Sequence, residues 1–186
     1  MANYKVRSKL LSLMCLGIFV MAIVPVVQAQ DWGWPEQVKL TASDGTTNDY
    51  FGNSVSIIGN YAIVGAYGGG GNGGNRSGSA YVFKKSEIPG DPNWYQQCKL
   101  LASDGANDDY FGRSVSVSGD YAIIAAEGDD DKGDYSGSVY IFKKSDMPGD
   151  PNWYELSKLS ASNLEAVDSF GKMVSINANT GTVLMI

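Results

Sequence analysis

The chain has 186 residues, with 14 basic and 20 acidic side chains, a formal net charge of −6 and no histidine. The missing histidine excludes a Ser-His-Asp triad, an imidazole general base and a zinc site with histidine ligands. Because the chain is acidic and has no basic stripe, we expect neither nucleic acid nor an anionic membrane surface as a partner. Glycine, at 23 residues, exceeds its average frequency, which indicates many tight turns.

The first thirty residues have the three parts of a secretory signal peptide. A basic segment, residues 1–9, precedes an apolar run from Leu10 to Val27, and Val27-Gln28-Ala29 supplies the small residues of a cleavage site. The sequence therefore predicts a signal helix in residues 1–29, removed on export, so that no membrane contact remains after cleavage. The alternative is an uncleaved anchor, because the run reaches the lower length limit of a spanning helix.

The exported part, residues 30–186, repeats a unit of about sixty residues. The repeats cover approximately residues 31–90, 91–149 and 150–186, and the third is truncated. The first 37 residues of repeats one and two are identical at 21 positions, which indicates duplication rather than shared composition.

The sequence pattern of each repeat predicts four β-strands. Serines alternate with Val55 and Ile57, a period of two that is typical of a half-buried strand, and a Gly-Asn dipeptide then predicts a hairpin turn. The following segment, 61–66, is apolar on both faces, and further strands are predicted at 79–83 and 94–101. Side-chain size increases from the first strand to the fourth, as a wedge-shaped sheet around an axis requires.

Four strands in a unit of this length predict an all-β fold, a partial β-propeller of four-stranded antiparallel blades with about two full blades plus a fraction. A sandwich and a β-solenoid are the alternatives. The third unit keeps a predicted second strand at 182–186 but lacks the third and fourth strands. Truncation of a longer repeat protein, a ring of several chains and an open stack are alternative explanations. Open blade faces also predict self-association.

The repeat motifs resemble a known family. Tyr50-Phe51-Gly52 together with Ile63-Val64-Gly65-Ala66 resembles the FG-GAP repeat, the blade unit of the integrin α-subunit propeller. The motifs Lys-Leu-x-Ala-Ser-Asp-Gly, Tyr-Phe-Gly-x-Ser-Val-Ser and Ser-Gly-Ser-x-Tyr-x-Phe are similar to a bacterial secreted subgroup of that repeat. The resemblance covers nearly all of residues 37–177. It implies an extracellular propeller that binds a protein or glycan ligand or serves in adhesion.

The Phe-Gly pair of each repeat predicts a structural role. The phenylalanines are expected to fill the space between blades, and the glycines to allow close backbone approach or a positive φ. These residues are Phe51, Gly52, Phe111, Gly112, Phe170 and Gly171.

Calcium is the one cofactor that the sequence suggests. The Asp-rich calcium loop that integrin-type blades carry has no room here, because only Gly59-Asn60 or Gly119-Asp120 joins the corresponding strands. The loop from Gly128 to Asp134 contains four carboxylates and predicts a metal site at Asp129, Asp131 and Asp134; a solvated acidic loop is the alternative. Other acids, among them Asp44, Asp49, Asp104 and Asp109, are expected to shape turns.

The function expected from the sequence is an exported, non-enzymatic module for extracellular binding or adhesion, as a fragment of a longer repeat protein. It would be secreted or held at the cell surface, with the periplasm as an alternative. A polysaccharide-acting propeller enzyme that uses paired carboxylates and a degenerate fragment without activity are the competing hypotheses.

Overall fold

The computed structural model describes residues 38–71, 73–162 and 167–186, in which all regular secondary structure is β. The strands are β1 Ser54–Ile58, β2 Tyr61–Ala66, β3 Ser79–Lys85, β4 Trp94–Leu100, β5 Phe111–Ser118, β6 Tyr121–Ala126, β7 Ser138–Lys144, β8 Trp153–Leu159, β9 Val174–Asn177 and β10 Thr182–Met185. Blade 1 is an antiparallel sheet of order β1-β2-β3-β4, blade 2 has the order β5-β6-β7-β8, and a third sheet pairs β9 with β10. This arrangement confirms the predicted all-β fold of two propeller blades and a fraction.

The predicted signal helix and its cleavage site lie in residues 1–29, outside the described residues. Within the part of the chain that the structure describes, there is no helix of the length and hydropathy needed to cross a bilayer.

The first hairpin of each blade forms where the sequence predicts it. β1 pairs with β2 through Gly59-Asn60, and β5 pairs with β6 through Gly119-Asp120. Both glycines have positive φ, +54° and +57°, which suits a tight hairpin turn and is costly for a residue with a Cβ. In β5 the alternation places Val115 and Val117 in the core, at 5% and 6% exposure, and leaves the alternating serines, Ser114, Ser116 and Ser118, half-buried.

Burial is deepest in the middle of each blade and decreases outward. β2 and β6 are buried at five of their six residues, whereas β4 is mostly half-buried and exposes Tyr95. The pairing of the third with the fourth strand shifts register at Val82/Phe83 in blade 1 and at the equivalent Ile141/Phe142 in blade 2. Since the same irregularity occurs at equivalent positions in both sheets, blades 1 and 2 have the same strand structure in detail.

The sequence repeat and the blade are out of phase by one strand. β4 belongs to the second sequence repeat but pairs with β3 of blade 1, and β8 of the third repeat pairs with β7 of blade 2. Each blade is therefore completed by a strand from the repeat that follows, and backbone hydrogen bonds join successive repeats.

Phe111 is fully buried between blades 1 and 2. Its ring makes edge-to-face contacts with Tyr140 and Phe142, at centroid distances of 5.3 and 6.0 Å. Phe51 makes the equivalent contacts within blade 1, and Phe170 packs against the opposite face of blade 2. The three phenylalanines thus lie at equivalent places in successive sheets.

The glycine after each phenylalanine is required by the backbone. Gly52, Gly112 and Gly171 have φ values of +89°, +93° and +87°. A Cβ on Gly112 would lie 2.2 Å from the carbonyl oxygen of Ser79 in blade 1. The glycine therefore supplies both the left-handed conformation and the close approach of two backbones.

Serine hydroxyls join the first strands of neighbouring sheets. Ser54 Oγ accepts a hydrogen bond from the Val115 amide at 2.9 Å, and Ser56 Oγ accepts one from the Val117 amide at 3.1 Å. The same pattern links β5 to the third sheet, where Ser114, Ser116 and Ser118 accept hydrogen bonds from the amides of Val174, Ile176 and Ala178. The serines of the Ser-Val-Ser motif thus accept hydrogen bonds from backbone N–H groups on the unpaired edge of the first strand of the following sheet.

The first blade exposes the surface that the second blade buries. Val55 and Ile57 are 65% and 64% exposed, whereas the equivalent Val115 and Val117 are in the core. The difference arises because β5 packs against β1 and β2, and no sheet precedes β1 among the described residues.

Ser56→Ala removes the hydroxyl that accepts the Val117 amide and changes little else in β1. Because a partly buried N–H then lacks a partner, we expect the free energy of unfolding to fall by about 1–3 kcal/mol. Urea denaturation followed by tryptophan fluorescence measures the change. Ser160→Ala, at an exposed serine, is the control and should shift stability by less than about 0.5 kcal/mol. Equal losses in the two variants would contradict an interblade role for Ser56.

Candidate functional site

Four tyrosines form a row at one end of blades 1 and 2. Tyr50 precedes β1 and stacks on Tyr67, which follows β2, with ring centroids 4.9 Å apart. Tyr67 meets Tyr110 edge-on at 6.0 Å, and Tyr110 lies 6.4 Å from Tyr135 in the loop between β6 and β7. Because Tyr110 precedes β5, the row crosses from one blade to the next.

Two arginines lie over this row, and each is fixed by a carboxylate. The guanidinium of Arg113 lies 4.5 Å from the centre of the Tyr67 ring and forms an ion pair with Glu127 at 3.0 Å. Arg76 lies 5.7 Å from the centre of the Tyr110 ring and pairs with Asp108 at 2.6 Å. Each guanidinium group thus has both an aromatic ring and a carboxylate as close neighbours.

The backbone at three of these tyrosines is strained. Tyr50, Tyr110 and Tyr135 have φ values of +54°, +58° and +54°, a conformation that is rare for bulky residues and costs about 1–3 kcal/mol each. The rings of Tyr50 and Tyr110 each lie against a glycine: a Cβ on Gly68 would be 2.4 Å from the Tyr50 ring, and a Cβ on Gly128 would be 2.7 Å from the Tyr110 ring. The two glycines therefore provide the space in which the rings are held.

These side chains line an open groove of about 820 Å³ where blade 1 meets blade 2. We call it the blade-junction groove; its walls include Tyr50, Tyr67, Arg76, Tyr110, Arg113 and Glu127. Burial and a hydrogen bond with Tyr135 raise the pKa of Tyr110 to about 12, so this phenol is neutral at physiological pH.

The groove combines positions that are the same in both repeats with positions that differ. Tyrosine recurs at 50 and 110, but Tyr67 corresponds to Glu127, and Arg113 corresponds to Asn53. No single motif of the sequence encodes this site, so none of the predicted site residues lies in it. The one signal in the sequence is the set of substitutions between the repeats, such as Tyr67 against Glu127.

The acidic loop of blade 2 is arranged differently from the predicted metal site. Asp129 and Asp131 lie together with Asp104, and one oxygen from each of the three carboxylates lies within 4.8 Å of the others. Asp134 is not part of this group; its backbone carbonyl accepts a hydrogen bond from the amide of Val167.

The ammonium group of Lys158 lies where these carboxylates converge. Its Nζ is 2.8 Å from Asp104, 2.7 Å from Asp129 and 2.5 Å from Asp131, and the side chain of Asp129 is almost fully buried. Burial by itself would lower the pKa of Lys158, but the three carboxylates outweigh it and raise the pKa above its ordinary value. A lysine therefore supplies the positive charge at the centre of this cluster.

This arrangement does not fit a calcium ion. Calcium needs six to eight oxygen ligands around a shared centre, and here a charged nitrogen occupies the position that the three carboxylates share. The calcium site at Asp129, Asp131 and Asp134 stays a prediction that calcium titration tests below.

Two of the remaining acids shape turns, as the sequence suggests. Asp49 accepts hydrogen bonds from the backbone N–H and the hydroxyl of Thr46, at 2.5 and 2.7 Å. Asp109 accepts a hydrogen bond from the amide of Ala106 at 2.6 Å. Each of the two acids thus makes a local side-chain to backbone bond within the loop that precedes the first strand of a blade.

Comparison with protein families identifies the sequence repeat that supplies the first three strands of each blade. The model of the FG-GAP repeat matches residues 34–83 and 94–142, which together make up more than half of the chain. The chain belongs to the FG-GAP repeat family. A search of curated proteins gave no match.

The FG-GAP motif residues Asp, Tyr and Lys form one polar cluster in each blade. In blade 1, Asp44 accepts hydrogen bonds from the Tyr81 hydroxyl and the Lys99 ammonium, both at 2.8 Å. In blade 2, Asp104 accepts equivalent bonds from Tyr140 and Lys158, at 2.7 and 2.8 Å. The Asp of the Ser-Asp-Gly motif, expected to shape only a turn, thus ties its loop to the third and fourth strands.

Lys158→Met leaves the buried Asp129 and its neighbours without a compensating charge. We expect the free energy of unfolding at pH 7 to fall by about 3–5 kcal/mol. Lys99→Met is the matched control; it should cost about 1 kcal/mol or less, because Lys99 pairs with the more exposed Asp44 alone. Urea denaturation of both variants across pH measures the difference.

The pH dependence has a defined sign. Burial alone would raise the pKa of Asp104, but hydrogen bonds from Lys158 and Tyr140 outweigh burial and hold the pKa below its usual value. This contribution is present above the unfolded pKa of about 3.9 and is lost as the pH falls through the folded pKa. The stability gap between wild type and Lys158→Met should therefore be widest near neutral pH and narrow in acid; a gap that widens in acid would contradict the assignment.

Melting curves with and without calcium test whether this carboxylate cluster binds the ion. Millimolar calcium should leave the Tm of the wild-type chain unchanged, because the Lys158 ammonium already neutralises the cluster. A rise in the wild-type Tm that Asp131→Ala abolishes would instead support the predicted metal site.

Proposed function

We propose that this FG-GAP chain is an exported, non-enzymatic binding module that holds an extracellular ligand in the blade-junction groove. The observation that supports it most is the composition of the groove. Residues that differ between the repeats, such as Tyr67 against Glu127, line a groove on a frame whose other motif residues are the same. FG-GAP repeats form propeller-type modules that often serve in binding or adhesion.

The described carboxylates favour binding over catalysis. A glycosidase needs two carboxyl groups, one of them with a raised pKa and access to the substrate. Burial raises the pKa of Asp109, but this carboxyl group is only 3% exposed and so has little access to a substrate. In the groove itself, Glu127 is paired with Arg113 and Asp49 accepts hydrogen bonds from Thr46. These carboxylates orient their neighbours and are poorly placed to donate a proton.

Export follows from the leader pattern of residues 1–29. On expression of the full chain in a bacterial host with an intact secretion pathway, N-terminal sequencing of the exported product should begin at Gln30. Ala29→Arg, which places a large charged residue at the −1 position, should block processing, whereas Ala2→Arg should not. A product that keeps Met1 and stays in the cytosol would contradict export.

Binding without turnover is the second expectation. The full chain should be retained on immobilised extracellular matrix proteins or glycans, and a panel of polysaccharides should release no reducing sugar on incubation with it. Retention should survive Asp109→Asn, because the amide still accepts the Ala106 hydrogen bond. Polysaccharide cleavage that Asp109→Asn abolishes would replace the binding function with an enzymatic one.

A further inference from the structure

The blade-junction groove presents aromatic surface that the fold leaves free. Tyr50 is 55% exposed although it stacks on Tyr67 and is held by a strained backbone. The face of a tyrosine ring is electron-rich and attracts polarised C–H groups. One side of a pyranose ring presents several such C–H groups, and the fit needs no charge.

The charges that line the groove cancel, so the groove has no excess charge that would attract an ionic ligand. Its described lining contains two carboxylates, Asp49 and Glu127, and two guanidinium groups, Arg76 and Arg113. Arg113 is paired with Glu127 at 3.0 Å and Arg76 with Asp108 at 2.6 Å, so an anionic ligand would have to compete with both pairs. The chain as a whole has a net charge of −6, which also disfavours anions.

The polar groups of the groove match hydroxyl groups, which both donate and accept hydrogen bonds. Thr47, Asn48 and Asn75 contribute side chains that do both, and the neutral Tyr110 phenol does the same. The described lining includes no aliphatic side chain, so the groove lacks the apolar anchor site that a lipid or a hydrophobic peptide segment requires.

From this combination we infer that the groove binds a neutral oligosaccharide, with one sugar ring packed on the exposed Tyr50 ring and hydroxyl groups bonded to Arg113, Glu127 and the neighbouring amides. This ligand class rests on the binding function proposed above. It also explains why the arginines are paired. A guanidinium fixed by a carboxylate and an aromatic ring presents its remaining N–H donors in one orientation.

Affinity electrophoresis and calorimetry of the full chain with neutral glucan, mannan, xylan and chitin oligosaccharides test the inference. Tyr50→Ala should weaken binding of the preferred oligosaccharide about tenfold, because it removes the ring face. Tyr50→Phe keeps the ring and should bind nearly as well as wild type. Arg113→Gln should also weaken binding, since it removes a fixed donor and frees Glu127.

Tyr95→Ala is the matched control. Tyr95 is similarly exposed, at 52%, but lies on β4 outside the groove, so its removal should leave affinity unchanged. Melting curves of all variants identify any that fail to fold. Affinity for a neutral sugar should also be nearly independent of ionic strength, because no charge pair forms on binding.

Three outcomes would overturn the inference. Stronger binding of alginate or polygalacturonate that weakens with salt would identify an anionic ligand instead. Retention of gelatin or fibronectin that Tyr50→Ala abolishes, without sugar binding, would identify a protein ligand and leave the proposed binding function intact. Failure of every sugar and every matrix protein to bind would remove both proposals.

Discussion

Hydrogen bonds between the first strands of adjacent sheets hold the blades together. β5 has an edge with no neighbouring strand on that side, and the hydroxyls of Ser54 and Ser56 accept two of its amide N–H groups. An unmade hydrogen bond at a buried amide costs about 1–3 kcal/mol, so this backbone is satisfied only when the blades are stacked. Burial of Phe111 at the same junction contributes about 2–3 kcal/mol more. The amide groups on this edge of β5 therefore gain their hydrogen bonds only through the packing of blade 1 against blade 2.

The one-strand offset between the sequence repeat and the blade also links successive blades along the chain. β4 comes from the second repeat but completes blade 1, and the loop after it carries Asp104 to the Tyr-Lys pair of blade 2. A repeat therefore contributes to two sheets at once. The blade-junction groove is a consequence, because Tyr67 of one blade and Arg113 of the next meet only when the sheets are stacked.

Local sequence patterns predicted most of the fold and little of the groove. The alternation around Val115, the Gly-Asp hairpin and the positive φ of Gly112 are properties of neighbouring residues, and each is present in the structure. The groove depends on contacts between residues far apart in sequence, such as Tyr67 with Arg113, and no short-range pattern reports them. The acidic loop illustrates the same limit. Spacing alone grouped Asp129, Asp131 and Asp134, whereas the structure pairs the first two with Lys158, which is 27 to 29 residues away.

The repeat of four-stranded blades can be read from the order of the residues, because duplication, period-two alternation and turn residues are local features. Which charges meet, and where the blade-junction groove forms, follows from the packing of whole sheets, since that packing sets the partners of each side chain. Lys99 reaches an aspartate 55 positions earlier, and Lys158 reaches one 54 positions earlier. The motif Asp and the motif Lys become neighbours only after the strands between them have folded into a blade.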